Sequence, residues 1–136
     1  MQELGQTGDQ IRAVGHSLGA HLVGHLGRAV QREGFGKIAR VTGLDPARPL
    51  FDMVGMEWRM QPTDAEFVDV IHTNSGILYE GCVSMPWTVG QVDFYPNGGA
   101  HQAGCTDLCV TEDACIGFDL LDFFKGKYLN YITQLP

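Results

Sequence analysis

The chain has 136 residues, enough for one ordinary domain with a sizeable core. Hydrophobic residues make up 44%, charged residues only 18%, and the formal net charge is −7. That balance speaks against nucleic acid as a partner, which would call for a basic face. No apolar run approaches transmembrane length.

The stretch QELGQTGDQ after Met1 has neither the basic start nor the apolar centre of a secretory leader. IRAVGHS (11–17) then reads as a short apolar strand running into a turn. LGAHLVGHLGRAV (18–30) places Leu18, Leu22, Leu26 and Ala29 at helical spacing, and Gly34-Phe35-Gly36 breaks the helix. KIARVTGLD (37–45) is a second strand, ended by Asp45-Pro46. After a loop, FVDVIHT (67–73) is a third strand. VDFYP (92–96) is a fourth, closed by Asn97-Gly98-Gly99. Strand, helix and strand in this rhythm predict a parallel α/β sheet. IGFDLLDFF (116–124) is an amphipathic helix candidate, with Ile116, Leu120 and Phe124 one turn apart.

The four cysteines, Cys82, Cys105, Cys109 and Cys115, contain no Cys-Xaa-Xaa-Cys pair, and His101 stands alone beside them. That spacing favours disulfides over a zinc site, and disulfides call for an oxidising compartment. The missing leader conflicts with that compartment and hints at sequence upstream.

VGHSLGAH (14–21) holds Gly-Xaa-Ser-Xaa-Gly around Ser17. At a strand-to-helix turn this pattern makes a nucleophile elbow: the turn is tight, and Gly15 and Gly19 supply the missing bulk. The hydroxyl then projects above the carboxyl edge of the sheet. The N–H of Leu18 faces the same spot as an oxyanion donor, helped by the helix N-terminus. The bland alternative makes Ser17 only an N-cap. A triad on such an elbow continues with an acid at the end of a following strand. Asp45 stands there, although a turn aspartate before proline is equally common on position alone.

GHSLGAHLVGHLGR, followed by RVTGLDPARPLF, DAEFVDVIHTN and VDFYPNGG with AGC beyond, resembles the pancreatic-lipase family of α/β-hydrolases. The resemblance spans about residues 11 to 105. It implies a partial α/β-hydrolase fold: the C-terminal part of a mostly parallel sheet, with flanking helices and a lid segment. Residues 1–104 would be the partial lipase domain, 105–126 a cysteine-containing lid, and 127–136 a tail of non-native origin. Ser17 would be the nucleophile, Asp45 the acid and Leu18 an oxyanion donor, with the second donor in a family segment that has no counterpart here. The setting would be extracellular and the partner a lipid substrate at an interface, with no cofactor required. Some members bind a structural calcium, and Asp64 and the Arg59 carbonyl fall on its positions. Gln61 stands where a second carboxylate is common, whereas Ca²⁺ prefers charged oxygens. Asp64 reads equally as a turn or cap residue. Four cysteines allow three pairings; Cys109 with Cys115 is the preferred one, leaving Cys105 for a partner beyond the end.

None of the five histidines suits the base. His16 sits inside the elbow, His21 and His25 ride the helix, His72 matches a family position that is not the base, and His101 comes too early. Either Gly117 replaces the histidine after Cys115, or everything from Cys105 onward is lid and the chain stops before the base. The second reading is preferred, because 116–124 has the apolar helix a lid needs. Codons for Gly126-Lys127-Tyr128 can also form a splice-donor sequence, which would make the tail intron read-through. A serine without a base is a poor nucleophile, so this polypeptide alone is expected to be nearly inactive while its parent is an ester hydrolase. Two rival classes are a non-catalytic lipid-binding or yolk-type homologue, and an adaptor without lipid contact. The retained serine favours enzyme ancestry.

Overall fold

A computed structural model describes residues 7–77 and 82–103, and the backbone alone of 108–111 and 114–116. Strand β1 (Arg12–His16) runs directly into helix α1 (Leu18–Arg32), followed by β2 (Ile38–Leu44), β3 (Ala65–Ile71) and β4 (Val92–Phe94). The four strands form one sheet in the order β1-β2-β3-β4, parallel throughout. This is the parallel α/β architecture expected from the sequence. Strand β3 begins earlier than its apolar run suggests and stops at Ile71. There the Ile71 carbonyl accepts from Asp45 N–H at 2.8 Å, and the chain turns away to serve the Asp45 side chain.

Two further strands, β5 (Leu108–Thr111) and β6 (Ala114–Ile116), pair antiparallel and set Cys109 opposite Cys115 in register. Ile116 therefore ends a strand and does not open the helix expected over 116–124. The rest of that stretch, Cys105 and the tail lie outside the described residues.

Helix α1 has the expected period but buries an unexpected face. Its leucines point outward, with Leu18, Leu22 and Leu26 exposed at 63%, 69% and 44%. The buried side is Ala20, His21, Gly24, Gly27 and Val30. Small residues prevail there because the 60–64 loop presses against the helix backbone. A Cβ on Gly24 would come within 2.4 Å of Asp64 Oδ2, and one on Gly27 within 2.1 Å of the Asp64 carbonyl oxygen. Core packing at this density leaves no room for an added methyl. The core centres on Val41, Val68, Val70, Met60 and Met85.

The opposite sheet face carries Val14, Phe67, Val92 and Phe94, all solvent-exposed among the described residues. Between them lies one buried carboxylate, Asp69, forked by Arg40 at 2.9 and 2.6 Å and bonded by Thr42 Oγ1 at 2.8 Å. Burial pushes that carboxyl upward, but the Arg40 and Thr42 hydrogen bonds outweigh it and hold Asp69 below the usual range.

His21 ties the helix to two loops. Its Nδ1 accepts from Met60 N–H at 3.1 Å, and its Nε2 donates to the Ala47 carbonyl at 2.8 Å. The buried ring stacks on Phe51 at 3.9 Å. Burial, first of all, drives its pKa below the ordinary 6.5, and protonating Nδ1 would also break the Met60 bond.

Two outcomes follow from this packing. Gly27→Ala drives a methyl into the Asp64 backbone and lowers unfolding free energy by about 1–3 kcal/mol, read by chemical denaturation. The depressed imidazole of His21 contributes stability that is complete above pH 6.5 and is lost as pH falls below it. The unfolding midpoint should drop over that window, and His21→Gln, which keeps a donor for Ala47, should flatten the drop.

Candidate active site

The site lies at the carboxyl edge of the sheet, where β1, β2 and β3 end side by side. His16 pairs with Leu44, and Leu44 with Ile71. Ser17 and Asp45 are the residues that follow the first two, so both emerge at the same edge from adjacent strands.

Ser17 has φ 55° and ψ −119°, a left-handed conformation that a non-glycine residue adopts only under constraint. The constraints are visible. Its N–H donates to Leu44 O at 2.9 Å, and its carbonyl accepts from Ala20 N–H at 3.1 Å and Ala47 N–H at 3.2 Å. The turn closes so sharply that a Cβ on Gly15 would sit 2.1 Å from the Gly19 carbonyl oxygen, so position 15 requires glycine. A Cβ on Gly19 would meet nothing within 4 Å. Of the two motif glycines, the structure requires only the first for clearance. The Ser17 side chain makes no capping hydrogen bond, which removes the observation that the N-cap reading needs. Leu18 opens α1, and an N–H at the first helical position has no intrahelical acceptor.

Asp45 also stands at positive φ, 45°. Its Oδ1 accepts from Thr73 N–H at 2.7 Å and from Asn74 N–H at 3.0 Å, while the Thr73 hydroxyl donates to Oδ2. The carboxylate is thus fixed by the turn that leaves β3, and Thr73 and Asn74 belong to the site. Sequence reasoning missed both, because a Thr-Asn pair after a strand looks like any turn.

The histidines lie in varied surroundings. His16, half-buried, has its pKa depressed by burial against the opposing field of Asp45. His25 Nε2 reaches the Trp58 carbonyl at 3.2 Å, farther along α1. His72 is fully buried, with Nδ1 2.9 Å from Met85 O and Nε2 2.8 Å from Asp93 Oδ1, and its ring stacks on Tyr95 at 4.3 Å. Both nitrogens face an oxygen partner in the core. This ring is committed to the core. His101 is exposed.

The residues matched to calcium are also placed. Asp64 is fully buried and takes Arg28 Nη1 on Oδ1 at 2.6 Å and Gln61 N–H on Oδ2 at 2.8 Å; the Arg59 carbonyl accepts from Arg28 Nη1 at 3.1 Å. Burial raises the Asp64 pKa against the pull of Gln61 and Arg28. Arg28 had given no sign in the sequence beyond its place on a helix.

Known proteins are similar to this chain in sequence. The chain is 45% identical to mouse pancreatic triacylglycerol lipase over 111 residues, 81% of the chain and 23% of that protein. It is 48% identical to human pancreatic lipase-related protein 3 over 109 residues, 79% and 22%. Guinea pig pancreatic lipase-related protein 2 is 40% identical over 123 residues, 90% and 26%. The chain therefore spans about a quarter of the length of the curated relatives it matches. The family model described as Lipase matches residues 1–117, and the chain belongs to that family.

Proposed function

We propose that this chain carries the nucleophile-and-acid half of a lipase-type carboxylic ester hydrolase, acting on acylglycerols or phospholipids at an interface outside the cell. The observation that supports it best is the strained Ser17 turn emerging beside a carboxylate held by three donors from the neighbouring strand end. Strain at a non-glycine residue persists only where its surroundings enforce it. In the reaction, Ser17 Oγ attacks the ester carbonyl and passes its proton to an imidazole. Asp45 orients that imidazole and stabilises its positive form, and Leu18 N–H donates to the tetrahedral oxyanion. The intermediate collapses as the imidazolium gives its proton to the departing alcohol, and water, deprotonated by the same imidazole, then hydrolyses the acyl-Ser17 ester to the fatty acid and free serine.

In this reading none of the chain's five histidines serves as that imidazole. His21 and His72 are buried and bonded elsewhere, and His25 is bound to Trp58 along the helix. A positioned base contributes about 10²–10⁴-fold to such a step. A fluorophosphonate, which marks activated serines, should therefore tag the 136-residue chain that much more slowly than a complete relative. The longest product of the gene should be tagged at Ser17 and lose the tag in Ser17→Ala. A product that binds lipid micelles yet takes no tag would make the protein a carrier.

A further inference from the structure

In the loop that would hold a cation in this fold, the Asp64 carboxylate and the carbonyls of Met56, Glu57 and Arg59 already accept from the protein's own N–H groups. Arg28 reaches from α1 and donates through Nη1 to Asp64 Oδ1 at 2.6 Å and to Arg59 O at 3.1 Å, and through Nη2 to Glu57 O at 3.2 Å. The side-chain amide of Gln61 donates to Met56 O at 2.7 Å. The second Asp64 oxygen takes Gln61 N–H at 2.8 Å. Oxygens that would face a metal instead face N–H groups.

The donor set fails for calcium on chemistry as well. Ca²⁺ takes roughly six to eight oxygens and draws its affinity from charged ones. Asp64 is the one carboxylate in this set, it is neutralised at 2.6 Å, and Glu57 contributes only its backbone. Among the described residues no group of three or more His, Cys, Asp and Glu converges as a metal site. Gln61, where a carboxylate would raise the negative charge, spends its amide on the loop backbone. The glycine notch of α1 completes the arrangement. Gly24 and Gly27 admit Asp64 against the helix, one turn or less from Arg28, and any side chain there would push it out of reach.

We infer that the Arg28 guanidinium takes the place of a bound cation, latching the 56–64 loop onto α1 so that this loop folds without calcium. A fork of fixed donors suits this task, because its planar N–H groups reach a carboxylate and two carbonyls at once. The inference is independent of the hydrolase reading, since it concerns how the loop is held and not whether Ser17 reacts.

The test uses the full 136-residue chain and reads no activity. Its thermal midpoint is measured in excess calcium and in excess chelator, and terbium is titrated in as a luminescent calcium probe, with Trp58 in the loop as sensitiser. The expected result is the same midpoint in both buffers and no saturable terbium emission. Arg28→Gln should lower the midpoint by roughly 5–10 °C, because it strands a buried carboxylate. A saturable calcium-dependent rise in the unaltered chain, abolished by Asp64→Asn, would overturn the inference. So would an Arg28→Gln chain as stable as its parent. Should that variant not fold, the calcium and terbium titrations of the unaltered chain still decide the matter.

Discussion

The geometry depends on how one strand end is tied to the next. Ser17 N–H is bonded to Leu44 O, and Ser17 O receives Ala47 N–H. The two chain segments that carry the hydroxyl and the carboxylate are thus laced together on both sides of Asp45. With β1 and β2 parallel and in register, neither group can move along the sheet without breaking the other's support. The positive φ at Ser17 and at Asp45 is the local expression of that lacing. Each cost of about 1–3 kcal/mol is borne because the sheet determines the neighbours.

The Asp45 carboxylate is served from the far side by β3. Its loop spends two backbone N–H groups and one hydroxyl on the Asp45 carboxylate, so three successive strand ends share one task. The buried His72, bonded to Asp93 and Met85, lies immediately before Thr73 and stiffens the same turn from below. A buried polar network of this kind holds position through its partners.

Helix α1 does two jobs with one side. Its N-terminus faces the site, while its small-residue flank receives the loop through Gly24, Gly27, His21 and Arg28. The leucine stripe is left outward in the described residues, as is the apolar sheet face of Val14, Phe67 and Phe94. Parallel sheets are ordinarily covered on both faces; among the described residues, Val41, Val68 and Val70 are buried while Val14, Phe67 and Phe94 are exposed.

The order β1-α1-β2-β3-β4, the parallel sheet and the tight Ser17 turn were legible from the sequence, because period, glycine placement and strand-to-turn transitions are local properties of the chain, whereas the β5–β6 pairing was not. The resemblance blocks carried Asp45 in the same way. Other features were decided only by contacts between residues distant in sequence. Helical period gives no sign of which face is buried, so the Leu18, Leu22 and Leu26 stripe misleads until the 60–64 loop is seen pressed into the glycines. Thr73 and Asn74 reach the Asp45 carboxylate only because β3 lies next to β2. Arg28 meets Asp64 and the Arg59 carbonyl only because the helix packs over that loop. Local pattern sets which groups the chain can offer; the tertiary fold decides which of them meet.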